Sequence, residues 1–90
     1  MIKYKIEYAP AYLKKAKKIA KTHPNLRTSY TDTLNNLSKD PFNPLLHTHP
    51  LTGKLKGKYA CSLTYELRIV FRLYDDIVHL LDIGPHDDVY

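Results

Sequence analysis

Hydrophobic and polar positions change period several times along the chain, and each change marks an element. Ile2 to Tyr8 alternates, with Ile2, Tyr4, Ile6 and Tyr8 on one side and Lys3, Lys5 and Glu7 on the other. A period of two predicts a half-exposed strand. Pro10 suits the first turn of a helix, and from Ala11 to Lys21 the spacing becomes helical. Tyr12, Leu13, Ala16, Ile19 and Ala20 make one stripe, while Lys14, Lys15, Lys17, Lys18 and Lys21 cover the rest. His23-Pro24 breaks this helix. Leu26, Tyr30, Leu34 and Leu37 then recur at spacings of four, four and three, which predicts a second helix ending near Asp40-Pro41. The two stripes predict a helical hairpin packed on a sheet. Pro41, Pro44 and Pro50 predict an extended crossing that carries His47 and His49.

From Leu51 onward the pattern is that of strands. Leu55 to Thr64 alternates, with Tyr59, Cys61 and Leu63 opposite Lys58, Ala60 and Ser62. Thr64-Tyr65-Glu66 reads as a turn. Leu67 to Leu73 is the next strand, with Leu67, Ile69, Phe71 and Leu73 opposite Arg68, Val70 and Arg72. Asp75-Asp76 fits a hairpin tip, and Ile77 to Ile83 is apolar enough for a central strand. The expected fold is α+β: an N-terminal strand, a helical hairpin, then three or four antiparallel strands, with the sheet's other face or edge open to form a cleft.

Composition narrows the class. Ninety residues suit one domain spanning 1–90. The single Cys61 excludes an internal disulfide and fits a reducing compartment. No apolar run approaches the roughly 20 residues that span a membrane. The alternating start is not a signal-peptide core, so the expected location is the cytoplasm. The net charge is +5, with every Lys and Arg between Lys3 and Arg72 and five of the nine acids from Asp75 onward. A basic body favours a polyanion or an acidic protein as partner.

The candidate chemistry gathers late in the chain. After the last strand, Gly84-Pro85 leads to His86, then Asp87, Asp88, Val89 and Tyr90. An imidazole titrates near pH 6.5 and so moves protons at neutral pH; a solvated loop histidine is the plain alternative. Arg68 projects from the strand side opposite Leu67 and Ile69, and its planar fork matches phosphate oxygens. Glu66, two residues earlier, fits either an ion pair with Arg68 or a base for a ribose hydroxyl. His49 is the second imidazole. The run Thr52-Gly53-Lys54-Leu55-Lys56-Gly57-Lys58 is basic and glycine-punctuated but lacks a phosphate-binding loop pattern. Lys54, Lys56, Lys58 and, on the following strand, Arg72 are candidate phosphate-backbone contacts. His47-Thr48-His49 lacks the further ligands of a zinc site, and no metal or cofactor is expected.

His49-Pro50-Leu51-Thr52-Gly53, Leu55-Lys56-Gly57, Glu66-Leu67-Arg68-Ile69-Val70-Phe71 and Ile83-Gly84-Pro85-His86-Asp87-Asp88-Val89-Tyr90 together resemble the RelE/ParE superfamily of bacterial toxins, closest to its YafQ-like branch. The resemblance covers nearly the whole chain and implies a RelE-like, microbial-RNase-like fold. It also implies a type II toxin–antitoxin toxin that cuts mRNA in the ribosomal A site without a metal, by attack of a ribose 2′-hydroxyl on the adjacent phosphate. Under it, His49, Glu66, Arg68, His86 and Tyr90 match the family's catalytic positions. The implied partners are a cognate antitoxin, mRNA, and 16S ribosomal RNA met through the basic surface. Two positions depart: Ser62 stands where YafQ-like toxins carry another histidine, and Leu67 where they carry a tryptophan. A ParE-like gyrase poison, or a toxin fold kept only to bind an antitoxin, are the alternative readings; His49, Glu66 and His86 would have no use in a binding-only toxin.

Overall fold

Proline opens the first helix, as its fixed φ and missing N–H allow. In a computed structural model that describes residues 3–89, α1 runs Pro10–Thr22 and α2 runs Arg27–Lys39, joined by a 3-10 turn at Pro24–Leu26. The strands are β1 (Lys5–Tyr8), β2 (His49–Pro50), β3 (Tyr59–Ser62), β4 (Leu67–Tyr74) and β5 (Ile77–Pro85), and a short helical turn, α3, covers His86–Val89. They form one sheet in the order β1-β5-β4-β3-β2.

The expected α+β class holds, with one difference in pairing. The strands after the helices are antiparallel, but β1 joins β5 in parallel at the far edge, so the sheet is mixed. Both expected helices appear within a residue or two of their predicted ends. The first strand is shorter than Ile2–Tyr8; Ile2 lies outside the described residues, and Tyr4 instead donates its N–H to the Ser38 carbonyl at 2.8 Å.

The strand expected over Leu55–Thr64 is corrected: only Tyr59–Ser62 pairs with β4. Gly53 and Gly57 have φ of +64° and +91°, a region other residues rarely enter. They coil Gly53–Leu55 into a 3-10 turn, and Lys58 donates to the Leu55 carbonyl at 3.1 Å. Alternation there reflects a looped connector rather than a ladder.

The helices cover one sheet face. Tyr12 and Leu37 meet Cys61, Leu63, Leu67, Ile69, Phe71, Val78, Leu80 and Ile83 in the main core. A bulge opposite Val70/Phe71 skips Leu81, which is why Leu80 and Ile83, three residues apart, serve the same core. Asp82, beside the bulge, pairs with Lys15 of α1 at 2.7 Å. On the opposite face Ala60 and Val70 form a second apolar cluster, closed by Val89 of α3. The end of the sequence is therefore packed down, and it brings His86 to the sheet.

Candidate active site

The prolyl crossing is held before it reaches the sheet. The Asp40 carboxylate accepts from Phe42 N–H at 2.9 Å, the Asn43 amide oxygen accepts from Leu45 N–H at 2.9 Å, and the Thr48 hydroxyl donates to the Pro41 carbonyl at 2.6 Å. Phe42 sets its ring edge-on to Tyr59 at 5.3 Å, and Tyr59 stacks on Phe71 at 5.8 Å. These contacts fix where the crossing enters β2, and so fix His49.

Register places the candidate residues. His49 pairs with Ala60, and Ala60 with Val70; one step along, Ser62 pairs with Arg68, and Arg68 with Gly84. Residues directly opposite one another share a face, so His49, Ser62 and Arg68 lie on the face that α3 partly covers. Two strand spacings across and about two residues along put the Cα atoms of His49 and Arg68 on the order of 12 Å apart. A cavity of about 550 Å³ has His49, Ser62 and Arg68 in its wall beside Thr64 and Tyr65, and Thr33 and Asn36 of α2 bound it from the helix side.

Arg68 turns back to the β3–β4 turn. Its Nη1 donates to the carbonyls of Thr64 at 2.8 Å, Tyr65 at 3.0 Å and Leu67 at 3.2 Å. Among the described residues it makes no ion pair with Glu66, so that plain alternative for Glu66 falls. Glu66 sits exposed in the turn, outside β4, with its N–H on the Thr64 hydroxyl at 3.3 Å. His49 is exposed, its Nδ1 3.2 Å from the His47 carbonyl oxygen. His86 opens α3 directly after Pro85, the partner of Leu67, so it and Glu66 are the next positions outward on neighbouring strands. Neither Glu66 nor His86 lines the cavity wall. Tyr90 lies outside the described residues.

The basic candidates lie elsewhere. Lys54 and Lys56 are exposed in the β2–β3 connector with Lys58 at its end, at the end of β3 away from Ser62. Arg72 shares Arg68's face four residues further along β4. The periodicity missed His47, Thr64, Tyr65 and α2's Asn36 as cavity residues; the one available signal was an aromatic placed in a turn. Among the described residues no group of three or more His, Cys, Asp or Glu is placed to hold a metal, and no helix is long and apolar enough to cross a membrane.

Burial sets the titration of the inner groups. It pushes the Cys61 thiol up to about 12, with Arg68 pulling the other way, so Cys61 stays a protonated filler at neutral pH. Burial also raises Tyr12 and Tyr30, whose hydroxyls share a 2.8 Å hydrogen bond between the helices.

The family model described as bacterial toxin of type II toxin–antitoxin system, YafQ, matches residues 4–90. No curated protein matches at a significant level. Among solved structures, YafQ from E. coli superposes with a TM-score of 0.75 at 21% identity, covering 97% of this chain and 98% of that one. The toxin chain matched in the E. coli DinJ-YafQ toxin–antitoxin complex gives 0.79 at 22% identity, with 99% of each chain covered. A YoeB/ParE toxin from Agrobacterium tumefaciens gives 0.78 at 20%, covering 91% and 98%. At these identities the superpositions establish the fold.

Proposed function

The chain belongs to the YafQ family of toxins of bacterial type II toxin–antitoxin systems, and from that membership we propose that it is a ribosome-dependent endoribonuclease that cuts mRNA in the A site. The observation that carries the reading is the cavity between α2 and the β2–β3–β4 side of the sheet, lined by His49, Ser62 and Arg68; Glu66 and His86 are the next positions outward from the Leu67–Pro85 pair.

The chemistry assigns one task to each group. A ribose 2′-hydroxyl loses its proton to Glu66 or His49 and attacks the adjacent phosphorus. Negative charge builds on the phosphate oxygens, and the Arg68 guanidinium, seated by the turn carbonyls, stabilises it. His86 gives a proton to the departing 5′-oxygen. The products are a 2′,3′-cyclic phosphate and a 5′-hydroxyl. Side chains handle every proton, so the route calls on no metal. Ser62, with a hydroxyl that does not titrate near neutral pH, orients substrate rather than exchanging protons. Tyr90 would orient or stack. Lys54, Lys56, Lys58 and Arg72 hold the message and 16S ribosomal RNA by charge. The DinJ-YafQ complex contains a toxin and its antitoxin, and we extend that pairing to a cognate antitoxin here.

Induction in cells followed by mapping of mRNA ends tests the reading. Cuts in register with codons are expected, and His86→Ala should slow cleavage by about 10²-fold or more while leaving the urea midpoint in place. A wild-type protein that leaves mRNA intact but blocks DNA supercoiling would replace this function with gyrase inhibition.

A further inference from the structure

The sheet edge farthest from His49 is open. β1 is the end strand of the order β1-β5-β4-β3-β2, and among the described residues no strand pairs with its outer side. Lys5 and Ala9 donate their N–H groups to the carbonyls of Asp76 and Leu80 at 2.7 and 2.9 Å. Backbone direction alternates along a strand, so the N–H and C=O of Ile6 and Tyr8 point away from β5, out of the edge. The Tyr4 carbonyl points the same way, while the Tyr4 N–H is held by the Ser38 carbonyl at 2.8 Å. Such an edge is a template for another strand, and proteins commonly guard it with proline, a bulge or an unanswered charge. β1 carries neither a proline nor a bulge.

Its charges answer one another. Tyr4-Lys5-Ile6-Glu7-Tyr8 reads the same in both directions, except that a cation and an anion exchange places. The faces agree with that symmetry. Tyr4 and Ile6 pack towards the main core, and the Tyr8 ring lies 6.0 Å from that of Tyr12. Lys5 and Glu7 are exposed on the other side, where the Glu7 carboxylate accepts from the Tyr74 hydroxyl at 3.2 Å. A second β1 set antiparallel, with a two-fold axis at Ile6, meets every one of these groups. The two Ile6 residues exchange both backbone hydrogen bonds, and each Tyr8 N–H reaches the Tyr4 carbonyl of the other copy. Each Lys5 then stands opposite Glu7 of the other copy, at the closer, non-hydrogen-bonded positions of the ladder. Sliding by two residues sets Lys5 against Lys5 or Glu7 against Glu7. Sliding by one turns the apolar side of one copy to the charged side of the other. One register remains.

We infer that β1 is a self-association edge, at which two copies of this chain join their sheets by antiparallel β1–β1 pairing. The two-fold axis closes the assembly as a dimer and leaves no end for a fibre. A cavity of about 680 Å³ between β1 and α2, lined by Ile6, Tyr8, Tyr30 and Leu34 among others, receives the tyrosine rings of the second copy. So short a strand buries less than the roughly 800 Å² per partner of a standard stable complex, so the dimer is weak and depends on concentration. His49 lies on β2, at the opposite edge of the sheet. Both candidate sites therefore stay open, and the inference stands apart from the nuclease reading.

Sedimentation equilibrium of the purified chain over a concentration series tests the pairing. A dimer should be populated at about 100 μM and lost below about 1 μM. Lys5→Glu and Glu7→Lys each set like charges opposite one another and should weaken it about tenfold. The double exchange, or a mixture of the two single variants, should restore it. Both positions are exposed, so the urea midpoint should hold. Amide exchange at Ile6 and Tyr8 should slow as concentration rises. A chain that stays monomeric at about 500 μM, a dimer indifferent to both single variants, a double exchange that recovers nothing, or Ile6 and Tyr8 amides indifferent to concentration overturns the pairing. So does an edge protected only when the cognate antitoxin is added, since β1 would then serve that partner.

Discussion

At the scale of single residues, Arg68 is held by the turn and is the group we propose for the scissile phosphate, two roles that sequence alone cannot separate. Its place on the outer side of a strand was legible from the apolar pattern of Leu67, Ile69 and Phe71. Its engagement with three turn carbonyls was not, because those acceptors are oriented by the Thr64 hydroxyl and the reversal of the chain. A lysine can keep one or two of these bonds but lacks the planar fork that grips a phosphate. Arg68→Lys should therefore cost no more than about 1 kcal/mol of stability yet reduce cleavage by about 10²-fold; Arg68→Ala should lose on both counts. Urea unfolding read beside a cleavage assay checks this, and equal losses of activity and stability in the lysine variant would make the residue a turn latch alone. Glu66 shows the opposite outcome. Its nearness in sequence to Arg68 suggested an ion pair, but the arginine turns to the turn carbonyls and leaves the carboxylate exposed.

Among the elements, periodicity was most reliable where an element buries one continuous face. Both helices were legible because Tyr12 and Leu37 anchor stripes of the expected spacing. The extended reading of Leu55–Lys58 failed because so short a segment says nothing of a partner strand, and Gly53 before it and Gly57 within it turn the chain. The last element was read only as a histidine-bearing loop; Val89, 6% exposed against Ala60 and Val70, makes it a docked turn. That contact positions His86. Val89→Ala removes two buried methyl groups and should cost about 1–2 kcal/mol, with a larger loss of cleavage than the stability change accounts for, since His86 would no longer be held beside the β4–β5 end. Cleavage measured well below the melting temperature separates the two effects. Wild-type activity in a destabilised Val89→Ala would show that α3 need not be fixed for catalysis.

For the whole molecule, the buried hydroxyls and thiol set the alkaline limit of stability. Burial raises Tyr12 and Tyr30 above an ordinary 10.0 and Cys61 from 9.0 to about 12. The folded chain thus holds protons that the unfolded chain releases, and stability falls as pH rises. It should be fully present below about pH 9, where the unfolded thiol is still protonated, and decline through pH 10 and above. Urea midpoints at rising pH measure the decline, and Tyr12→Phe should make it shallower; a midpoint flat to pH 11 would contradict it. The sequence by itself determined the two helices, the strand-rich second half, the alternation of β4 and the residue types that the chemistry needs, because each depends on the period of neighbouring side chains or on a short motif. Tertiary structure alone decided that β1 closes the sheet in parallel, that Arg68 spends its guanidinium on the turn, and that His49, Ser62 and Arg68 line one cavity with Asn36 and Tyr65. Those facts depend on pairing register and on packing between segments distant along the chain, and no local pattern encodes either.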